Sequence, residues 1–252
     1  MRVKKFPDRV LITVFTISML LFSSHSWADS NDDFNTWQNT LAPLYLYGVS
    51  MSGTLTSGPV SAPLEIEFSD AVADLEAIFT IHYEGAKGNW GIIADYSFLN
   101  LGPSAEIPGT PAVIDVDMKN TIAEVAGLYR FGPNNPWQLL AGYRSYQLDV
   151  TISGLPSQVV IDETINDFFV GGRYVRQIND KWSFLGRADI GAGDSDLVWN
   201  AVLAFDYRFT KLLSGFAGWR VLDYDVDRGS GANTFKYDMN HSGPVLALAF
   251  HW

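Results

Sequence analysis

The stretch Trp90-Gly91-Ile92-Ile93-Ala94-Asp95-Tyr96-Ser97-Phe98 decides the fold. Read as an extended chain, it sets Trp90, Ile92, Ala94, Tyr96 and Phe98 on one face and Gly91, Asp95 and Ser97 on the other. The alternation recurs at Trp182, Phe184, Gly186, Ala188 and Ile190, opposite Ser183, Arg187 and Asp189. Leu213, Ala217, Trp219 and Val221 likewise oppose Ser214 and Arg220, and Pro244, Leu246, Leu248, Phe250 and Trp252 alternate with Val245, Ala247, Ala249 and His251. A soluble β-sandwich would bury its apolar face and fill the exposed one with Lys and Glu. Here the apolar face is loaded with aromatics and the polar face is rich in Gly and Ser, as in a strand between lipid and an inner lumen. Trp37, Trp90, Trp137 and Trp182 fall at or near strand ends, where an interfacial aromatic girdle belongs.

Two kinds of connection alternate between these segments. Tight ones occur at Ala86-Lys87-Gly88-Asn89, Gly132-Pro133-Asn134-Asn135-Pro136, Asn179-Asp180-Lys181 and Phe209-Thr210-Lys211, mostly with turn-forming residues. Mostly longer, acidic or Gly/Pro/Ser-rich ones cover 55–73, 102–116, 152–163, 194–196 and 226–235. The segments number ten: 38–54, 74–85, 90–101, 117–131, 137–150, 164–177, 182–193, 197–208, 212–224 and 236–252. The expected fold is all-β, a transmembrane antiparallel up-and-down β-barrel over 37–252, with eight strands as the alternative. An even count places both ends of the barrel chain on the periplasmic side, with short turns there and longer loops outside.

Composition agrees. Among 252 residues there is no Cys, 47% are hydrophobic, 14% aromatic and only 18% charged, which excludes disorder and a disulfide scaffold. A formal net charge of −11 offers no basic stripe for nucleic acid. The longest uncharged mature stretch, Phe34 to Leu64, contains Pro43, Gly48, Gly53, Gly58, Pro59 and Pro63, so no lipid-quality helix fits there.

The start of the chain reads as a leader. Arg2, Lys4, Lys5 and Arg9 precede the apolar run Val10 to Phe22, and Ser26-Trp27-Ala28 supplies a small-x-small cleavage site. Cleavage after Ala28 takes four basic residues and one acidic residue with it, leaving 224 residues at net charge −14. Residues 1–28 are therefore expected as a signal peptide and 29–36 as a short periplasmic segment before the barrel.

The chain from about Trp37 resembles a family of small proteobacterial outer-membrane β-barrel proteins. The matching residues are Pro43, Tyr45, Trp90-Gly91-Ile92-Ile93-Ala94-Asp95, Gly172-Arg173-Tyr174, Gly186-Arg187-Ala188-Asp189-Ile190-Gly191-Ala192-Gly193, Trp199, Tyr207-Arg208-Phe209, Gly218-Trp219-Arg220 and Ser242-Gly243-Pro244. The resemblance implies a fold and a Gram-negative outer membrane. It implies no reaction, so no catalytic residue carries over.

Chemistry is to be sought on the polar face, which includes Glu76, His82, Glu84, Arg130 and Arg208 and an expected luminal charge network of Asp95, Glu124, Arg144, Asp167, Arg173, Arg187, Asp189, Asp206 and Arg220. Both signs occur in similar numbers, and charges shielded from bulk water must pair. That favours a non-enzymatic, monomeric barrel with a structural or surface-interaction role and a salt-bridged plug. The alternative is a narrow channel for small cationic or neutral solutes, and the third reading is an outer-membrane hydrolase built on His241-Ser242 with Asp238 or Asp223. Adjacent strand residues face opposite ways, so His241 and Ser242 are not expected to partner each other. Asp223, Asp225 and Asp227 share one strand face at an expected outer loop, where they would hold a divalent cation or bridge to lipopolysaccharide. Gly229 falls one place late for an EF-hand and Thr234 stands where its Glu belongs. No cofactor is expected. Expected partners are outer-membrane lipids, lipopolysaccharide and, during biogenesis, periplasmic chaperones and the barrel assembly machinery; nucleic acid is not among them.

N-terminal sequencing of the outer-membrane form should begin at Asp29. Intact Met1 in that fraction would refute the leader reading.

Overall fold

The computed structural model describes residues 34–58, 60–106, 113–154 and 159–252. The expected leader and residues 29–33 of the expected periplasmic segment lie outside them. Along the chain run β1 (Gln38–Tyr47), β2 (Ser50–Ser57), β3 (Val60–Ile66), the helix α1 (Phe68–Ala73), β4 (Leu75–Lys87), β5 (Trp90–Leu101), β6 (Ser104–Glu106), β7 (Val113–Arg130), β8 (Trp137–Ser153), β9 (Val159–Gln177), β10 (Trp182–Gly193), β11 (Leu197–Arg208), β12 (Leu213–Arg228) and β13 (Phe235–His251). Ten of the strands form a closed antiparallel wall in the order β1-β4-β5-β7-β8-β9-β10-β11-β12-β13, and β13 returns to β1. Closure follows from the solvent: an open edge in hydrocarbon leaves backbone N–H and C=O groups unpaired at several kcal/mol each.

Short turns join the strands at one end. Gly88 and Asn89 link β4 to β5, and Gly88 at φ +59 takes the left-handed position that a tight hairpin requires. At this turn end Trp90 meets its cross-strand partner Tyr129 at 4.9 Å between ring centroids, Trp137 meets Tyr174 at 4.9 Å, and Trp182 meets Tyr207 at 4.8 Å, all edge-on. Each such pair adds about 0.5–1.5 kcal/mol beyond its burial and fixes one level of the girdle.

The strands are longer than a membrane requires. β8 has 17 residues. At ~3.3 Å each and a tilt of ~40° it rises ~40 Å, against an apolar band ~25 Å tall. Within the strand the two faces exchange character. Trp137, Leu139, Ala141 and Tyr143 face outward first, then Ser145, Gln147 and Asp149 follow on the same face. Inward, buried Arg144 gives way to buried Tyr146, Leu148 and Val150. β12 repeats the exchange: Ala217, Trp219 and Val221 precede Asp223, Asp225 and Asp227 outside, while Arg220 precedes Leu222, Tyr224 and Val226 inside. Above the membrane the barrel thus becomes a water-soluble one with an apolar core, formed by Tyr146, Leu148, Leu222, Tyr224, Tyr237, Met239 and their neighbours.

That core corrects the expected boundaries. Segments expected as loops at 102–116, 152–163 and 226–235 are in part strand, because the inward apolar residues reward continued pairing beyond the bilayer. The expected first strand 38–54 is interrupted at Gly48 and Val49, and the expected loop 55–73 contains the end of β2, β3 and α1. β2 continues along β13 from Ser50 to Ser57, and β3 folds back on it. The break is possible because Gly243 lies under it: a Cβ there would stand 1.5 Å from the Gly48 carbonyl oxygen.

The exchange of faces makes a same-face comparison decisive. Leu139→Arg should cost about 2–4 kcal/mol in lipid-vesicle unfolding, whereas Gln147→Arg should stay within about 1 kcal/mol. Equal costs would refute the membrane boundary between them.

Candidate functional site

Period two delivers charged side chains from several strands to one level of the lumen. There Glu124 of β7, Arg144 of β8, and Arg187 and Asp189 of β10 close a four-membered ring. Arg144 donates from Nε to Glu124 Oε2 at 2.9 Å and from Nη2 to Asp189 Oδ1 at 2.8 Å. Arg187 donates from Nη2 to Glu124 Oε1 at 2.6 Å and from Nε to Asp189 Oδ2 at 2.8 Å. Each carboxylate serves both guanidinium groups and each guanidinium both carboxylates, so the ring is neutral. Phe169 of β9 lies against both cations, its ring centroid 4.7 Å from Arg144 Cζ and 5.4 Å from Arg187 Cζ. The ring extends through Asn200 of β11, which donates to Asp189 Oδ2 at 2.8 Å and accepts from Arg220 Nε of β12 at 2.9 Å. Arg220 reaches Tyr45 of β1 at 3.4 Å and lies 5.3 Å from the ring centroid of Tyr47.

The side chains of Arg144 and Asp189 are 0% exposed, Glu124 2% and Arg187 11%. Charges so far from water cost several kcal/mol each to desolvate, and only full mutual pairing offsets this. The arrangement is therefore a cross-brace that ties β7, β8 and β10, with β11, β12 and β1 attached through Asn200, Arg220 and Tyr45.

Two expected members of the network form separate pairs. Arg173 makes a two-pronged contact with Glu84 at 2.7 and 2.8 Å and donates to Gln138 at 2.9 Å. Asp95 meets His82 Nδ1 at 2.6 Å. Two others stand apart. Asp167 is buried but accepts from the backbone N–H of Ser195 at 2.9 Å and its hydroxyl at 2.7 Å, fastening the turn between β10 and β11. Asp206 has no ion pair among the described residues; it lies opposite Ser183 and Phe216 near the turn end, below the ring. Arg130 and Arg208 also belong to the turn end: Arg130 binds the Gly88 carbonyl at 2.8 Å and Gln38 at 2.6 Å, and Arg208 binds the Lys211 carbonyl at 3.2 Å.

Asp223, Asp225 and Asp227 do not form a loop. They lie on the solvent face of β12, where Asp223 accepts from Asn240 at 2.8 Å and Asp227 from Lys236 at 2.5 Å. Among the described residues no cluster of three or more acidic or His side chains could hold a metal ion. His241 faces inward and Ser242 outward. His241 bonds the Tyr237 hydroxyl at 3.0 Å, Tyr237 bonds Tyr146 at 2.8 Å, and Tyr146 donates to Asn120 at 2.5 Å. Its ring thus has a tyrosine partner and no carboxylate partner among the described residues, which removes the proposed hydrolase constellation. The sequence reading missed Asn200, Phe169 and this tyrosine layer. Their signal is inward alternation continued past the last charge, as in Arg144-x-Tyr146-x-Leu148 and Arg220-x-Leu222-x-Tyr224.

Arg144→Ala should cost about 3–5 kcal/mol, since it leaves Glu124 and Asp189 short of a buried partner. Asp206→Asn should fall within about 0.5 kcal/mol, and urea unfolding of both variants in lipid vesicles measures the difference. Equal losses would show that the ring has no special standing.

No family model matches the chain, and no curated protein matches it. Among solved structures it is similar to the translocator domain of autotransporter NalP from Neisseria meningitidis, with 13% identity, 88% of this chain and 92% of that one covered, and a TM-score of 0.45. It is similar to Ail, the attachment invasion locus protein of Yersinia pestis, at 9% identity, 86% and 97% coverage and a TM-score of 0.40. It is also similar to OmpT, an outer membrane protein of Vibrio cholerae, at 17% identity, 90% and 74% coverage and a TM-score of 0.31. No residue's role carries over at such identities.

Proposed function

We propose that this protein is a non-enzymatic, monomeric integral barrel of the Gram-negative outer membrane whose lumen is sealed and whose raised outer portion is its working part, in a structural or surface-interaction role. The observation that carries this reading is the double filling of the lumen. A neutral ring of Glu124, Arg144, Arg187 and Asp189 blocks one level, and the buried layer of Tyr146, Leu222, Tyr224, Tyr237 and Met239 blocks the next. A solute would have to separate ion pairs and then displace a packed apolar core, each at a cost of several kcal/mol.

On this reading the turn end faces the periplasm and the raised end faces outside, amid lipid and lipopolysaccharide, while periplasmic chaperones and the barrel assembly machinery act during biogenesis. The raised wall presents Asp223, Asp225, Asp227, Asp238 and Asp162 to solvent, a surface that repels anionic solutes and favours partners carrying positive charge.

In planar bilayers the purified protein should show no steady conductance. The double variant Arg144→Ala/Arg187→Ala, which removes both cations of the ring, should stay equally silent, because the apolar layer still fills the next level. A stable, cation-preferring current through the unaltered protein would overturn the sealed reading and establish the channel instead.

A further inference from the structure

One seam of the wall is incomplete. β1 and β4 pair only where Gln38–Ala42 meets Ala86–His82, although both strands continue toward the raised end. Pro43 falls in a bulge of β1 between Leu41 and Leu44, and proline removes a ladder donor. Just above, the Thr80 hydroxyl replaces the missing ladder: it meets both the N–H and the carbonyl of Tyr45, at 3.1 Å for the N–H. Beyond Thr80, the β1-facing edge of β4 has no strand partner as far as Leu75.

The gap opens within the apolar belt. Leu46 pairs with lipid-facing Leu246, and Phe79 with Phe98. Ile78 belongs to the inward face, yet it is 38% exposed, because the wall beside it is missing. α1 closes the top: Phe68 covers Gly48 at the end of β1, and Ala71 joins the buried apolar cluster that also holds Tyr47, Val49 and Leu101. The rim is apolar, formed by exposed Leu46, Phe68, Val72, Leu75, Ile78 and Phe79.

Charge selects the occupant. No Lys or Arg occurs between Val10 and Ala86, while Glu65, Glu67, Asp70, Asp74 and Glu76 gather on and around α1. None of these five forms a salt bridge among the described residues. A free strand edge offers unpaired N–H and C=O groups alike, so it is the five carboxylates that call for a cationic head, which can also donate to the free carbonyls. An alkyl chain satisfies the rim.

We propose that the β1–β4 seam is a lateral site for a single-chain amphiphile with a protonated amine head, its chain lying against Ile78, Phe79 and Leu46 and its head under the carboxylates of α1. The site is distinct from the sealed lumen and does not depend on whether the lumen conducts.

The chain lacks cysteine, so a single label reports the site. Ile78→Cys and, as a control on a complete part of the lipid face, Ile190→Cys are labelled with bimane and folded into phosphatidylcholine vesicles. Each is titrated with dodecylammonium, dodecanol and dodecanoate. The expected result is a saturable response at position 78, with a dodecylammonium midpoint roughly tenfold below that of dodecanol, and only non-saturating partition at position 190. Glu67→Gln, Asp70→Asn and Asp74→Asn together should abolish the head-group preference while retaining the apolar response. Equal midpoints for the three probes at position 78, or the same dodecylammonium curve at both positions, would overturn the proposal.

Discussion

A strand crossing hydrocarbon has to give its backbone N–H and C=O groups to a neighbour, and apart from the short β1–β4 gap the rest of this structure depends on that requirement. It forces the sheet to close on itself, so the last strand must reach the first. His251 of β13 marks the join: its ring lies 3.1 Å from the Thr40 hydroxyl of β1 and 2.8 Å from the Ser214 hydroxyl of β12. Once the wall is closed, each strand has an inside and an outside, and lumen and lipid face become separate chemical problems solved by alternate residues.

The lumen is solved twice by different means. At the level of the membrane it is filled with charge, and the four-membered ring is tolerable there because each of its cations faces two carboxylates and each of its carboxylates two cations. Such a ring is weak as a source of net stability and strong as a geometric constraint, because losing one member leaves two others short of a buried partner. Above the membrane the outer face is wetted, and the inner face can become the ordinary apolar core of a soluble barrel. The Tyr146 ring stacks on Tyr224 at 5.1 Å between centroids and marks the passage from one filling to the other. The lumen thus holds two independent packing solutions placed end to end.

The wall was legible in the sequence because period two survives every change of environment. Trp90 to Phe98 and Trp182 to Ile190 announce both the strand and its lipid face, and their turns bound them. The raised portion was not legible by the same rule: Asp223, Asp225 and Asp227 look like a loop if polar residues are taken to end a strand, whereas here they mark only the change of solvent on the outer side. The charge network was legible as a face but not as a set of contacts. Arg144 stands directly opposite both Glu124 and Asp167. It takes Glu124 and, two strands along the wall, Asp189, because Asp167 is already held by Ser195. Alternation fixes which way a side chain points; the partner depends on barrel stagger and on competition from turns, and neither is written locally.

The join between β1 and β13 also sets an order of assembly. Thr40 and His251 stand 211 positions apart, whereas most other neighbours in the wall are joined by a single connection. Closing so long a loop costs only about 0.6 kcal/mol for each doubling of its length, so the penalty is kinetic more than thermodynamic. Until the final strand arrives, β1 remains an unpaired edge and the tyrosine layer lacks Tyr237 and His241, so a chain halted before residue 235 holds most of its hairpins yet lacks both its complete inner layer and its closed wall.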